Sequence, residues 1–281
     1  MKLSIVTITY NNLEGFKKTA ASVLSQNYCD YEWIVIDGGS TDGTREYVAS
    51  LERQPDYWCS EKDNGVYNAQ NKGIAHARGE FVCCMNAGDT FHESVTLENV
   101  FKENIVADVI YGDWVNVMNG KHILLNAPKK ITSFFFYHGN ICHQAMFVRT
   151  GLMQKYPFDE NFKVYADWKA WRNLIKREYR FEYVPVVVCD FEADNGLSAQ
   201  IGNALKKEYR MLEEDTPADV LKDIVAIQRV KIMQMIRSQS TDIPSAKELR
   251  WEYKARKRLR GVRLLVFLLI VSILLNLFLL L

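Results

Sequence analysis

Cysteine, proline and histidine are scarce in this chain of 281 residues: six, six and five respectively. The cysteines (Cys29, Cys59, Cys83, Cys84, Cys142 and Cys189) are scattered, form no C-x-x-C pair, and occur without any N-x-S/T acceptor site. A disulfide scaffold and a cysteine- or histidine-based zinc site are thereby excluded, and the pattern predicts buried free thiols in a reducing compartment. Neither sign of charge is in excess, since 35 Lys plus Arg face 34 Asp plus Glu. The balance gives no global case for nucleic acid, and no such partner is expected. Missing as well are a G-x-G-x-x-G motif after the first strand-like run, where the chain reads YNNLEGF, and a P-loop. Dinucleotide and P-loop chemistry fall with them. The N-terminal apolar run is too short for a signal peptide and alternates as a strand does, so the catalytic part is expected to stay in the cytoplasm. No internal repeat or low-complexity linker is visible.

What is present is a chain long enough for one large α/β domain, or for a domain of roughly 200 residues with appendages. From residue 4 the pattern alternates: SIVTIT as a strand, residues 13 to 26 as a helix, EWIVID as a strand, and residues 44 to 51 as a short helix. YWCS, residues 66 to 76 and EFVCCMN continue as strand, helix and strand. Strands apolar on both faces that alternate with helices predict an α/β fold with a mostly parallel central sheet covered on both faces. In such sheets ligands sit at the carboxyl ends of the strands. Polar residues cluster there, at 7 to 12, 37 to 42, 61 to 64 and 86 to 89. Beyond residue 105 the regularity weakens. VIYGDWVNV and YVPVVVCDF read as strands, ITSFFFYH is aromatic-rich, residues 167 to 176 read as a helix, and residues 204 to 239 read as mainly helical.

The runs SIVTITYNN, VIDGGSTDGT, SEKDNGVYNAQNKGI and FVCCMNAGD, in this order and spacing, resemble the family 2 glycosyltransferases of GT-A fold over roughly residues 3 to 200. Among these the chain is most similar to bacterial enzymes of cell-surface polysaccharide synthesis. The resemblance implies an inverting transferase with a nucleotide-sugar donor, a UDP-sugar favoured over a GDP- or dTDP-sugar, and a saccharide or lipid-linked saccharide acceptor. It also implies a divalent cation, Mg²⁺ or Mn²⁺.

Carried onto matching positions, the resemblance makes Thr7, Tyr10 and Asn11 nucleobase contacts, Asp37 the base-reading acid, Asp63 a second nucleotide-contacting acid and Lys72 a cation near phosphate. Asn86 joins the nucleotide-binding set and stands where most of the family has an acid, which leaves Asp89 as the metal ligand. Asp167 matches the catalytic base. Because Ala166 replaces the first acid of that pair, Asp167 carries the role alone, with Asp159 and Glu160 as reserves. His143, Gln144 and Trp168 match positions lining the sugar or acceptor.

Each assignment has a plainer alternative. Residues 37 to 43 form a capping turn, which is the preferred reading of Ser40, Thr41 and Asp42. Lys72 sits on a solvated helix face, Gly88-Asp89-Thr90 is a turn, Asp167 is an N-cap, and Trp168 and Trp171 are core aromatics. A nucleotidyltransferase is disfavoured because YNNLEGFKK is not the Gly-rich basic loop a triphosphate needs. A catalytically inactive nucleotide-sugar-binding or scaffolding protein of the same fold stays open, given Asn86 and Ala166.

These readings divide the chain into a nucleotide-sugar-binding part (1–105), an acceptor-binding and catalytic-base part (106–203), a helical extension (204–244), and a basic juxtamembrane and membrane-inserted or transmembrane helix (245–281). Residues 264 to 281 carry no charge and only Ser272 and Asn276 as polar residues. As a helix this run is about 27 Å long, against a hydrocarbon core of about 30 Å. Lys254, Arg256, Lys257, Arg258, Arg260 and Arg263 form a cationic collar before it, which places the upstream chain at the cytoplasmic face of the membrane. Spanning, flat insertion and packing within a homo-oligomer remain open.

Overall fold

The computed structural model describes residues 1–194 apart from Asn104 and Ser133, then 202–214 and a few positions between 216 and 227. It divides into Met1–Glu213 and Glu214–Leu281, the second described only at scattered positions. The segment expected to meet a membrane lies outside the described residues, as does most of the helical extension. Among the described residues, no helix is long and apolar enough to cross a membrane.

The first half follows the expected βα alternation. Strands β1 (Leu3–Thr9), β2 (Tyr31–Asp37), β3 (Tyr57–Ser60) and β4 (Phe81–Cys84) pair in parallel in the order β3-β2-β1-β4. Every residue of β1, β2 and β4 is buried, as a sheet covered on both faces requires. Helices α1 (Leu13–Leu24), α2 (Thr44–Ser50) and α3 (Val66–His76) connect them. Asn12 caps α1 by accepting the Gly15 N–H at 3.1 Å. Helix α3 lies so close to the sheet that a Cβ at Gly73 would stand 2.3 Å from Val6 Cγ1.

The second half departs from expectation. It contains β5 (Thr90–Phe91), α4 (Thr96–Phe101), β6 (Val109–Met118), β7 (Lys121–Leu125), α5 (Phe135–His138), a 3₁₀ turn at His143–Ala145, β8 (Met146–Arg149), α6 (Thr150–Lys155), α7 (Ala166–Lys176), β9 (Phe181–Glu192) and α8 (Gly202–Glu214). The nine strands form one sheet. Beyond β4 it continues through β8, β6, β9 and β5, with β7 on β6. Here β6 and β9 are parallel, while β4–β8, β6–β8, β6–β7 and β5–β9 are antiparallel. The sheet is therefore mixed, and "mostly parallel" describes only its first half. One of these pairs has a local reason: Asn119 and Gly120, at φ 52° and 69°, make the left-handed two-residue turn that folds β7 back on β6. All six cysteines are free. Cys83, Cys84 and Cys189 are buried as expected, whereas Cys29 is exposed and Cys59 and Cys142 are half-buried.

Candidate active site

Because β1 to β4 run parallel, their four following loops meet along one edge of the sheet. Asn11, held at φ 46°, donates its N–H to Ser40 Oγ at 2.8 Å, and its Oδ1 accepts the Thr41 N–H at 2.9 Å. Asp42 accepts the N–H groups of Leu13 and Thr44 at 2.8 and 3.2 Å, a capping role. Asp37, fully buried at the end of β2, accepts the hydroxyls of Ser40 and Ser60, each at 2.5 Å. Asp63 is fixed by the Gly65 N–H at 2.8 Å. A Cβ on Gly38 would lie 2.6 Å from Asp63 Oδ2 and 3.2 Å from Tyr10 Cδ2. The absent side chain at Gly38 thus lets Tyr10, 64% exposed, and Asp63 border one surface.

Of the expected nucleotide set, Thr7 turns inward and Lys72 is paired beside the loop of residues 61 to 64. Thr7 is fully buried, and its Oγ1 accepts the Trp33 indole N–H at 3.0 Å, so its side chain faces the core and not the loops. Lys72 pairs with Glu61 at 2.6 Å on an exposed face, and this ammonium holds the Glu61 carboxyl below its ordinary value.

The 3₁₀ turn joins the two remaining acids. Gln144 donates to Asp89 Oδ2 at 2.5 Å, while Asp89 Oδ1 accepts the Glu192 N–H at 3.0 Å. Burial pushes the Asp89 carboxyl up to about 6, against the lowering effect of those two hydrogen bonds. The adjacent His143 places Nδ1 3.4 Å from Asp167 Oδ2. Asp167 also accepts the Trp168 N–H at 2.6 Å and the Asn140 amide at 3.5 Å, and its Oδ1 lies 3.4 Å from the Tyr67 hydroxyl. It occupies the first turn of α7, where a carboxylate meets the helix dipole favourably. The reserves Asp159 and Glu160 are engaged elsewhere, with Lys169 at 2.6 Å and with Asn68 and Asn71 at 2.9 Å. Asn86 gives its Oδ1 to Gln70 and its amide N–H to His143. Trp168 is buried and donates to the Phe136 carbonyl at 2.6 Å, so it packs in the core.

Among the described residues, no group of three acid, histidine or cysteine side chains could hold a metal by itself. A buried carboxylate raised by desolvation still suits a hard cation that takes its other ligands from diphosphate and water, and Asp89 fits that donor set.

The family model for "Glycosyl transferase family 2" matches residues 4–150. The chain belongs to that family. Two relatives of this family 2 chain are an uncharacterized glycosyltransferase of Mycobacterium tuberculosis and the PGL/p-HBAD biosynthesis glycosyltransferase of Mycobacterium bovis. The first is 32% identical over 68% of this chain and 74% of its own length. The second is 30% identical over 80% of this chain and 90% of its own. Among solved structures, Staphylococcus aureus TarS with UDP-GlcNAc aligns at TM-score 0.59 and 18% identity, covering 88% of this chain and 69% of that one. A Pyrobaculum calidifontis mannosyltransferase with GDP-Man and Mn²⁺ aligns at TM-score 0.55 and 17% identity, covering 91% and 84%. At these identities the structures establish a GT-A-like fold.

Sequence reasoning missed several residues that shape the site of this family 2 glycosyltransferase. Tyr67 and Gln70, three apart on the buried face of α3, reach Asp167 and the Asn86–His143 pair. Their spacing was the available signal. Asn140 and Glu192 carried none. Neither did Glu208 on α8, which accepts the N–H groups of Lys163, Val164 and Tyr165 at 2.5, 2.9 and 3.1 Å, just before Asp167.

Proposed function

We propose that this protein is an inverting transferase that moves a sugar from a nucleotide-sugar donor, with a UDP-sugar favoured, to a saccharide or lipid-linked saccharide in cell-surface polysaccharide synthesis. It works at the cytoplasmic face of the cell membrane, held there by the segment 245–281. The observation that carries this reading is the 3₁₀ turn, whose consecutive residues hold two acids, His143 against Asp167 and Gln144 against Asp89. The UDP-GlcNAc bound to TarS and the GDP-Man bound to the mannosyltransferase support the donor class.

In this mechanism Asp167 accepts the proton of the acceptor hydroxyl as its oxygen bonds to the anomeric carbon, on the face opposite the departing diphosphate. A positioned carboxylate contributes about 10² to 10⁴ in rate, and a single displacement inverts the centre. Asp89 would hold a Mg²⁺ or Mn²⁺ ion, which when bound supplies positive charge to the leaving nucleoside diphosphate. Tyr10 and Asp63, beside Gly38, border the nucleoside, and Asp37, held by the Ser40 and Ser60 hydroxyls at the end of β2, reads its base.

The test is donor hydrolysis and transfer with Asp167→Asn and Asp89→Ala, after a thermal-shift screen of UDP-, GDP- and dTDP-sugars with and without Mn²⁺ has chosen the donor. Both variants are expected to lose turnover. Undiminished rates in both would refute the assignments. Donor binding without turnover in the unaltered chain would favour the inactive-binder reading instead.

A further inference from the structure

Gln70 is fully buried, and its amide nitrogen serves two partners: it donates to Asn86 Oδ1 at 3.0 Å and lies 3.2 Å from His143 Nε2. The Asn86 amide nitrogen lies 3.1 Å from the same imidazole nitrogen. Two N–H donors therefore converge on Nε2, which fits only a lone pair there. On the other side of the ring, Nδ1 faces the Asp167 carboxylate at 3.4 Å, an acceptor that calls for a proton on Nδ1. The two sides of the ring agree on one tautomer.

The orientation of Gln70 follows from that of Asn86. Turned over, its oxygen would face Asn86 Oδ1 and the His143 lone pair, two acceptor–acceptor contacts at the distances its nitrogen now occupies. In the observed orientation Oε1 is buried and has no hydrogen-bond partner among the described residues. A buried acceptor left unpaired opposes folding, and it persists only where its surroundings over-determine it. Here the surroundings are the Asn86–His143 pair.

We propose that Gln70, acting with Asn86, fixes the Nδ1–H tautomer of His143 and through it the orientation of the Asp167 carboxylate, which makes Gln70 a positioning residue for proton removal from the acceptor. The inference rests on the transferase reading for its catalytic consequence, but the tautomer is a property of the resting protein. Which ring nitrogen of a histidine carries the proton is set by what its other nitrogen meets. A tautomer reversed at His143 would turn a lone pair toward Asp167 and push the carboxylate off its line.

The experiment is ¹⁵N labelling of histidine in the full chain, read by long-range ¹H–¹⁵N correlation, with the signal of His143 identified by its loss in His143→Gln. In the unaltered protein Nδ1 is expected to carry the proton and Nε2 to show a bare, pyridine-like signal. Gln70→Glu sets a second carboxylate against the ring, at Nε2, and is expected to place a proton there, as the imidazolium or as the reversed tautomer. Hydrolysis of UDP-GlcNAc or GDP-mannose, whichever stabilises the chain more, is then expected to lose about 10²-fold in kcat with donor affinity unchanged, as misplacement of a reacting group by about 1 Å does. Gln70→Met covers the case in which glutamate at 70 unfolds the chain: it should mix the tautomers and lower kcat, again at unchanged donor affinity. A bare Nδ1 in the unaltered protein overturns the proposal, as does a wild-type tautomer with wild-type kcat in the variants. The resonance assignment needs no turnover, so an inactive chain would sink the transferase reading and leave the tautomer separately tested.

Discussion

Gln144 Nε2 lies 2.5 Å from Asp89 Oδ2, and both side chains are sealed from solvent. With the carboxyl raised from 3.8 to about 6, the folded protein holds that proton more tightly than the unfolded chain does. The contribution to stability is complete below pH 3.8 and is lost as pH rises through about 6. By pH 7 the ionised group costs about 3 kcal/mol relative to a solvated one. Thermal denaturation of the metal-free protein should therefore show Tm falling between pH 4 and pH 7 relative to Asp89→Asn. Mn²⁺ with a nucleoside diphosphate should restore more stability at pH 7 than at pH 5, since a proton and a cation compete for the carboxylate. Parallel Tm profiles for the two proteins would count against both statements.

Gly38→Ala should weaken donor binding by about tenfold, or roughly 1.4 kcal/mol. Its methyl group would stand 2.6 Å from Asp63 Oδ2 and displace that carboxylate, while the sheet beneath is untouched. Calorimetric titration with UDP checks this, and an unchanged Kd would remove Asp63 from the nucleotide surface.

Gly73→Ala separates packing from donor binding. The added methyl group meets Val6 Cγ1 at 2.3 Å and forces α3 away from β1. Overpacking of this kind costs about 1–3 kcal/mol. Urea denaturation should report that loss while UDP affinity, measured on the folded fraction, stays within error of the unaltered protein.

Glu208→Gln should leave at least one of the three N–H groups before Asp167 facing an amide N–H in place of an oxygen. A loss of about 1–3 kcal/mol in stability is expected. So is a fall in kcat of about 10- to 10²-fold at unchanged donor affinity. Steady-state kinetics beside donor titration decides the point, and a kcat equal to that of the unaltered enzyme would confine Glu208 to a structural role.

Removing residues 255 to 281 should release the protein from membranes without affecting donor binding. Fractionation of cells expressing the shortened chain tests this, and a shortened chain still in the membrane fraction would contradict the tether.

The donor half was legible in the sequence because local signals decided it. Continuous apolar runs in β1 and β2 and the polar clusters at Asp37 and Asp63 each follow from short-range pattern. The second half was less legible because its chemistry is assembled over long separations. His143 meets Asn86 and Gln70 from a different half of the sheet, and Glu192 reaches Asp89 through its backbone, which leaves no imprint on side-chain pattern. Thr7 was misjudged for a related reason. A threonine at the end of an apolar strand reads alike whether it turns to a ligand or, as here, to the indole of Trp33. The β6–β7 hairpin was missed at Asn119-Gly120, and the antiparallel pairings of β8 with β4 and β6 and of β5 with β9 join segments far apart in sequence.

The clasp of Glu208 on residues 163–165 bears on the order in which the molecule comes into being. Synthesis runs from the N-terminus, domains generally fold as units, and Met1–Glu213 is one such unit. The residues of the four strand-end loops have all left the ribosome with Asp89, whereas the segment that carries Asp167 waits for Glu208. The surroundings of Asp167 are thus completed only when nearly the whole of Met1–Glu213 has been made.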